Sequence, residues 1–319
     1  MLSIDADACA RERNLRRINK EPHQFILALG YQPNALWVGV QLRSITVSVV
    51  IYNCILIDIQ PLLNLLAHDE HIAAWVVIDN GDSLDVRDAV QTMGGIYART
   101  GENAGFGRGH NLALQQLAGV DAPYHLILNP DITFDADALG RLTCVMDTHP
   151  DVGLVMPKVF YPDGSLQYLC KLLPAPIDLV LRRFLPGPLK RVAQKRIASY
   201  ELRDLDYDAP AYVPSLSGCF MFARRSVLDA VGGFDERFFL YMEDVDLCRR
   251  MLAVSRLLYW PGVTVEHVHQ MGSYRNRKLL LWHIHSAIKY FNKWGWIWDS
   301  KRTEINRATL ASRGQLPQI

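Results

Sequence analysis

The chain has 319 residues, half of them hydrophobic, and a formal net charge of +1. That length buries one large core, or one core with an appendage, and the balanced charge argues against wholesale nucleic-acid binding. Cys9, Cys54, Cys144, Cys170, Cys219 and Cys248 are scattered with no C-x-x-C pair, which speaks against a zinc knuckle or a disulfide framework and fits a reducing compartment.

Residues 1–44 read either as a small helical extension or as sequence upstream of a later start. They lack the basic, apolar and small-residue order of a signal peptide. No stretch reaches the roughly 18 apolar residues of a membrane span. Residues 46–52, TVSVVIY, form a β-branched run that predicts a buried parallel strand. A helical stretch follows around 61–68. Residues 75–79, WVVID, predict a second buried strand, ending in Asp79 before Asn80 and Gly81. A helix is predicted over 84–93 and a short third strand over 95–99. The glycine-rich stretch 101–111, GENAGFGRGHN, opens a helix through Leu117. Residues 125–129, HLILN, predict a fourth strand, followed by Asn129-Pro130-Asp131. A helix over 136–147 and a fifth strand over 152–157 complete the alternation. Strands alternating with helices over about 110 residues predict a doubly wound, mostly parallel α/β sheet. Ligands of such sheets sit at the carboxyl ends of the strands. Asn53, Asp79, Asn103 and Asp131 all fall at or just after predicted strand ends.

From Phe160 the pattern changes. Residues 161–165, YPDGS, are a turn between short extended pieces. Residues 171–210 are rich in proline and arginine and read as irregular or helical. Residues 212–222 are extended again. Two short strands, 257–260 and 264–268, are predicted around Pro261-Gly262. An aromatic helix over 279–296 precedes a polar tail, 299–319, expected to fray. The resulting division is 1–44, 45–270, 271–298 and 299–319.

The densest chemistry lies in 217–250. Six carboxylates between Asp229 and Asp246 are interleaved with Phe234, Phe238, Phe239, Leu240 and Tyr241. Charge beside apolar bulk fits carboxylates at a pocket wall, where burial raises a pKa toward that of a useful base. It also fits a helix with Glu243 and Asp244 in its first turn and Arg249-Arg250 at its end. Both readings hold at once. The loop Gly105-Phe106-Gly107-Arg108-Gly109 resembles a phosphate cradle. It lacks the Rossmann spacing, and a tight turn before a helix is the favoured reading of the loop alone. Asp131 either holds a hard divalent cation that bridges a diphosphate or makes an Asx turn. His267 and His269 share one strand face, as a satisfied pair or as metal or phosphate ligands. Trp282, Tyr290, Phe291, Trp294, Trp296 and Trp298, with Lys278, Lys289 and Lys293, read as core packing or as a surface resting on a membrane.

Four blocks in order resemble an inverting family 2 glycosyltransferase of the GT-A fold, over residues 47–296. They are VSVVIYN at 47–53, WVVIDNG at 75–81 with the glycine loop after it, LILNPD at 126–131, and 217–250. Within the family, the N-x-G-F-G-x-G-x-N loop, Glu266-His267 and Trp282-His283-Ile284 resemble bacterial rhamnosyltransferase-like enzymes of surface polysaccharide assembly. The resemblance implies that Tyr52, Asn53 and Asp79 line a nucleotide-base pocket, Asp79 accepting from a pyrimidine N3–H. It places Asn103, Gly105 and Gly107 by the nucleotide sugar, and Asn129 and Asp131 at the diphosphate. Asp131, with His267, would ligate Mg²⁺ or Mn²⁺. Asp244 would be the general base beside Glu243, with Asp246 and Gly218 on the acceptor side. The partners implied are a nucleotide-diphosphate sugar and a glycan or polyprenyl-linked acceptor, with no nucleic acid. The location implied is cytoplasmic, peripheral on the inner face of the plasma membrane. Asn129 stands where the family's metal motif often has a first acid. The rival readings are a nucleotidyltransferase of similar architecture and a catalytically silent glycan- or nucleotide-binding module. No Gly-rich signature with a following lysine, which the first rival needs, lies near the first strand.

Overall fold

The computed structural model describes residues 43–184, 187–268 and 277–312. Residues 1–42, His269 and the tail beyond Ser312 lie outside the described residues. The strands are β1 Ile45–Ile51, β2 Ile72–Asp79, β3 Ile96–Arg99, β4 Tyr124–Leu128, β5 Ile132–Phe134, β6 Val152–Phe160, β7 Ala211–Tyr212, β8 Phe220–Arg224 and β9 Arg256–His267. The helices are α1 Leu56–His68, α2 Leu84–Thr92, α3 Phe106–Gln116, α4 Ala138–Thr148, α5 Pro176–Phe184, α6 Gly187–Tyr200, α7 Arg225–Ala230, α8 Glu243–Met251, α9 Arg277–Trp294 and α10 Ser300–Ser312.

All seven residues of β1 are buried, as expected of a β-branched run covered by helices on both sides. Val47, Val49 and Ile51 join the core formed with Ile59, Leu62 and Leu63 of α1, Val86 and Val90 of α2 and Leu139 and Leu142 of α4. Val50 packs on the other face with Ala113 and Leu117. The α8 residues Leu247, Cys248 and Met251 share a cluster with Met221 of β8 and Leu114 of α3.

The sheet runs β3-β2-β1-β4-β8-β6-β9-β5, with β7 beside β9. Its first half is parallel throughout. Beyond β4 it is mixed: β8 is antiparallel to both β4 and β6, while β6 and β9 are parallel. Register decides what meets at the edge. Ile51 lies opposite Asp79, Asp79 opposite Arg99, and Val49 opposite Leu128. The residues after β1, β2 and β4 therefore emerge side by side. Because β8 is antiparallel, with Phe220 opposite Leu128, the segment before it arrives at that same edge. The pairing of Ile132 with His267 brings the end of β9 there as well.

Two expectations change. The predicted pair of strands around Pro261-Gly262 is one strand, β9. Pro157 pairs with Trp260 and Lys158 with Thr264, so the intervening residues bulge out without ending the ladder. The tail expected to fray carries α10. Its Asn306 exchanges two hydrogen bonds with the Leu173 backbone, at 2.9 and 2.8 Å, and its Arg302 is buried.

Candidate active site

At the end of β1, Tyr52 is exposed and Asn53 takes a left-handed backbone, φ 51°. Asn53 lies within 3.1 Å of where a side chain at Gly81 would begin, so glycine is what allows the two strand ends to close on each other. Asp79 is fully buried. Its Oδ1 accepts from the Gly81 N–H at 2.6 Å, and its Oδ2 accepts from the Ser83 N–H at 2.8 Å and the Tyr97 hydroxyl at 2.7 Å. The expectation of an open acceptor for a base N3–H thus meets a carboxylate already holding three protein donors. Its visible task is to shape the loop that carries Gly81.

The glycine loop is likewise committed to the protein. Gly105 has φ +85°, and a Cβ there would lie 2.2 Å from the Phe239 carbonyl, which accepts from the Phe106 N–H. A Cβ at Gly107 would lie 2.9 Å from that of Phe234. Asn103 accepts from the Gly105 N–H at 3.1 Å. These glycines seat the start of α3 against the 234–239 loop. The close approach that suggested an anion cradle is an approach of backbone and side chains, which is the tight-turn reading.

The next strand end carries Asn129, Pro130 and Asp131. Asp131 Oδ1 lies 3.3 Å from His267 Nε2, and the Asn129 amide lies 3.4 Å from the same nitrogen. On its other side, His267 Nδ1 meets Gln167 Oε1 at 3.0 Å. Because the Gln167 Nε2 donates to the His267 carbonyl, its Oε1 is left to accept, and Nδ1 carries the proton. Nε2 therefore faces Asp131, the tautomer a cation ligand requires. Burial lowers the imidazole pKa, but Asp131 and Cys219 outweigh it and push it up to about 10, so a cation would have to displace the Nε2 proton. A carboxylate facing an imidazole nitrogen fits a divalent cation that draws its other ligands from a diphosphate. Among the described residues no cluster of three or more acids, histidines or cysteines forms a complete cage.

Asn129 donates its backbone N–H to the Cys219 carbonyl at 2.9 Å, and the neighbouring Gly218 N–H donates to Asp244 Oδ2 at 3.1 Å. A Cβ on Gly218 would sit 3.3 Å from both Asp244 Cβ and the Phe106 ring. Asp244 stands in the first turn of α8, half-buried, with Oδ1 accepting from the Val245 N–H at 2.8 Å. The helix is entered through Tyr241 and Met242, both at φ 68°. Two consecutive left-handed side-chain-bearing residues cost on the order of 1 kcal/mol or more each, a strain typical of functional loops.

Asp246, expected on the acceptor side, faces elsewhere. Helix residues two apart point about 200° apart, so Asp244 and Asp246 cannot share a face. Asp246 is fully buried: Oδ1 accepts from Trp294 Nε1 and Lys293 Nζ, both at 2.7 Å, and Oδ2 from Arg250 Nε at 2.8 Å. It ties α8 to α9. Lys171 is a residue that sequence reasoning missed. Its backbone bridges to Ser215, close in sequence to Gly218. Burial lowers its ammonium pKa to about 8, with Arg182 adding to the fall and Asp244 and Glu201 opposing it. Nothing in the sequence separates it from any other lysine.

Glu243 is 5% exposed, and its Oε2 has no hydrogen-bond partner. Burial, then the charge of Asp244, pushes its carboxyl up to about 8. Folded, it holds its proton; unfolded, it ionises near 4.5. The native state thus binds the extra proton between those values, and stability falls as pH rises through that window. Glu243→Gln removes the effect. The variant is expected to match the wild type in stability below pH 4.5 and to exceed it above pH 8, by a few kcal/mol in order of magnitude, with a correspondingly higher melting temperature. Melting curves that run parallel across the window would show that Glu243 is ionised in the fold.

No protein-family model matches the chain. Relatives and solved structures do. Mannosyltransferase PcManGT from Pyrobaculum calidifontis, solved with GDP-Man and Mn²⁺, superposes with a TM-score of 0.51 at 18% identity, covering 87% of this chain and 78% of that one. S. aureus TarS superposes at 0.52 and 16% identity, covering 84% of this chain and 43% of TarS. These likenesses give the GT-A fold. The rhamnosyltransferase WbbL of Escherichia coli is 29% identical over 236 residues, covering 71% of this chain and 84% of WbbL. The N-acetylglucosaminyl-diphospho-decaprenol L-rhamnosyltransferase of Mycobacterium tuberculosis is 30% identical over 228 residues, covering 68% of this chain and 73% of that protein. The protein is therefore a glycosyltransferase of the GT-A fold. It belongs to the rhamnosyltransferase-like members of glycosyltransferase family 2.

Proposed function

We propose that this glycosyltransferase moves a deoxyhexose, rhamnose foremost, from a nucleoside-diphosphate donor to a hydroxyl of a polyprenyl-diphosphate-linked glycan, inverting the anomeric carbon. The observation that carries the reading is one unbroken run of contacts at the sheet edge: Asp131 to His267, His267 to Asn129, Asn129 to Cys219, and Gly218 to Asp244. It links a diphosphate-side carboxylate to a base-side carboxylate. The names of the two rhamnosyltransferase relatives support the sugar, and the mycobacterial one supports the lipid-diphosphate acceptor.

A nucleoside diphosphate is already a good leaving group, so a single displacement suffices. Asp244 takes the acceptor hydroxyl proton as attack begins. Its Oδ2 is oriented by Gly218 and its Oδ1 by Val245, and each oxygen keeps a further lone pair able to accept the hydroxyl proton. Tyr52, Asn53 and Gly81 frame the base, held by the buried Asp79. Asp131 and His267 would hold Mg²⁺ or Mn²⁺, which when bound would neutralise charge on the departing diphosphate. Attack opposite the nucleotide inverts the sugar carbon. The enzyme works on the inner face of the plasma membrane as a peripheral protein. Among the described residues no helix is long and apolar enough to cross a membrane.

The test is nucleoside-diphosphate release from a panel of nucleotide sugars with a polyprenyl-diphospho-N-acetylglucosamine acceptor. Release from dTDP-rhamnose, dependent on acceptor, is the expected result; release only from non-deoxy hexoses would overturn the donor assignment. Chelation should lower turnover about 100-fold, as withdrawal of several kcal/mol of charge stabilisation implies, with recovery on adding Mg²⁺ or Mn²⁺. Asp131→Asn should match the chelated enzyme and not recover. Full turnover after exhaustive chelation would reject the cation.

A further inference from the structure

Surface helices of folded proteins put polar residues outward, and α9 mixes them with large aliphatic ones. Its inner face carries Ser286, Tyr290 and Phe291, all buried. Its exposed positions include Arg277, Leu281, Ile284 and Ile288, spaced four, three and four apart, with Lys278, His285 and Asn292 exposed as well. Leu281 is 65% exposed, and Ile284 and Ile288 are exposed too. Beyond the helix, Ile297 is 76% and Trp298 92% exposed, with Trp296 beside them.

That corner is built, not loose. Gly295 takes φ +102°, and a Cβ there would lie 2.7 Å from the Trp298 carbonyl. Arg302 donates to the Ile297 carbonyl at 3.2 Å, and Trp296 Nε1 donates to Asn292 at 2.8 Å. Asp299 begins α10 by accepting from the Arg302 N–H at 2.9 Å. The backbone is tied down on the protein side while two large apolar side chains stand in water. Isolated apolar residues on a surface need no explanation, but a contiguous stripe with an anchored aromatic tip does.

Charge says what covers it. Between Arg277 and Lys301 the sequence has five lysines and arginines and one acid, Asp299. That acid is buried against Arg249 at 2.7 Å. Lys289 and Lys293 turn inward, to the Arg237 carbonyl and to Asp235 and Asp246. Arg277 and Lys301 remain at the exposed rim, and Lys278, also exposed, lies over the Trp282 ring at 5.0 Å. An apolar stripe rimmed by cations and carrying exposed tryptophans matches an anionic bilayer, where tryptophan prefers the headgroup level and each nearby cation adds attraction.

We propose that the outward stripe of α9, with the 296–298 corner, is the surface on which this chain docks to an anionic lipid bilayer. The proposal deepens the reading that the acceptor is lipid-linked. The inner face of α9 grips the loop that leads into Asp244. Phe239 packs on Trp282 at 4.5 Å between ring centres, Tyr241 on His283 at 4.8 Å, and Ser286 donates to the Leu240 carbonyl at 2.9 Å. One helix thus has the bilayer on one side and the entry to the catalytic helix on the other.

The experiment is flotation of the full chain with phosphatidylcholine vesicles, with and without phosphatidylglycerol, in the absence of any substrate. The wild type is expected to float with phosphatidylglycerol vesicles and to stay behind with phosphatidylcholine alone. Ile297→Ser with Trp298→Ser, and separately Leu281→Gln with Ile288→Gln, should each lower partitioning about tenfold or more, as loss of buried apolar area at an interface implies. Both pairs should keep wild-type turnover on a short-chain, water-soluble acceptor. A wild type that ignores phosphatidylglycerol, or variants that float like it, would overturn the proposal. So would a wild-type dimer in light scattering that these substitutions split, because a second copy would then be the occupant. Turnover is read separately, so loss of transfer with intact flotation would count against the proposed function and not against the docking surface.

Discussion

Asp244→Asn is expected to lower turnover by about 10²–10⁴, the range lost when a positioned general base is removed. Donor affinity should stay close to that of the wild type. The substitution is chosen because asparagine keeps the geometry. Its one amide oxygen can still accept the Gly218 N–H that Asp244 accepts at 3.1 Å, so the start of α8 keeps that attachment to the segment before β8, while the contact with the Val245 N–H at 2.8 Å is given up. What the amide lacks is a lone pair basic enough to take a hydroxyl proton. Asp244→Ala makes the comparison sharper, since it removes both functions, the proton acceptor and the contact with Gly218. If Asp244 acts as the base, asparagine and alanine should lose similar amounts of turnover, and alanine, which gives up both backbone contacts, should lower the melting temperature further than asparagine, which gives up one. Nucleoside-diphosphate release measures the first and thermal unfolding the second. Unchanged turnover in the asparagine variant would remove Asp244 from the chemistry and leave it the task of holding Gly218.

The contrast between Asp244 and Asp246 shows how far sequence reading reaches. Both acids lie in one obvious motif, and the first turn of a helix there was legible from Glu243, Asp244 and the arginines that follow. Which acid faces the cleft depends on where α9 packs, and α9 is more than 25 residues further on. The parallel half of the sheet was legible because burial on both faces writes itself as short, mainly apolar runs in β1, β2 and β4. The convergence of Asn129, Asp131 and His267 was legible in part, since residues after strand ends share an edge in such sheets. It took the antiparallel pairing of β5 with β9 to bring His267 there. The glycine loop was legible as a tight turn before a helix, but what it packs against was not. Sequence shows that the backbone must be approached closely, but not by what, and here Phe234 and Phe239 fill the space. The last helix, α10, was invisible because no apolar stripe holds it. Asn306, Arg302 and Asp299 do so through polar contacts to distant backbone and to Arg249.

Asp299→Ala should be among the most destabilising substitutions in the chain, at about 3–5 kcal/mol, because it strands a buried guanidinium. Arg249 and Asp299 are paired at 2.7 Å through both nitrogens, with side-chain exposures of 6% and 4%. Arg249 also lies over the Trp294 ring at 4.2 Å, so its planar group is enclosed on several sides. Removing the carboxylate leaves a cation that cannot shed its proton and has no water to turn to. The converse change differs in kind. Replacing both partners with apolar residues, Arg249→Met with Asp299→Leu, withdraws the charge of Arg249 along with its counter-charge and should recover part of the lost stability, the remainder being the cap and counter-charge that Asp299 gives Arg302. The urea midpoint separates the cases: a large drop for Asp299→Ala, and a double variant that lies well above it. Should the single variant unfold at the wild-type midpoint, the pair is solvated in solution and the tie between α8 and the segment beyond α9 is weaker than its geometry implies. If the drop is found, it carries a consequence for turnover. Arg249 and Asp244 stand on the same short helix, so loosening its far end should blunt nucleoside-diphosphate release even though neither altered residue touches the reacting atoms.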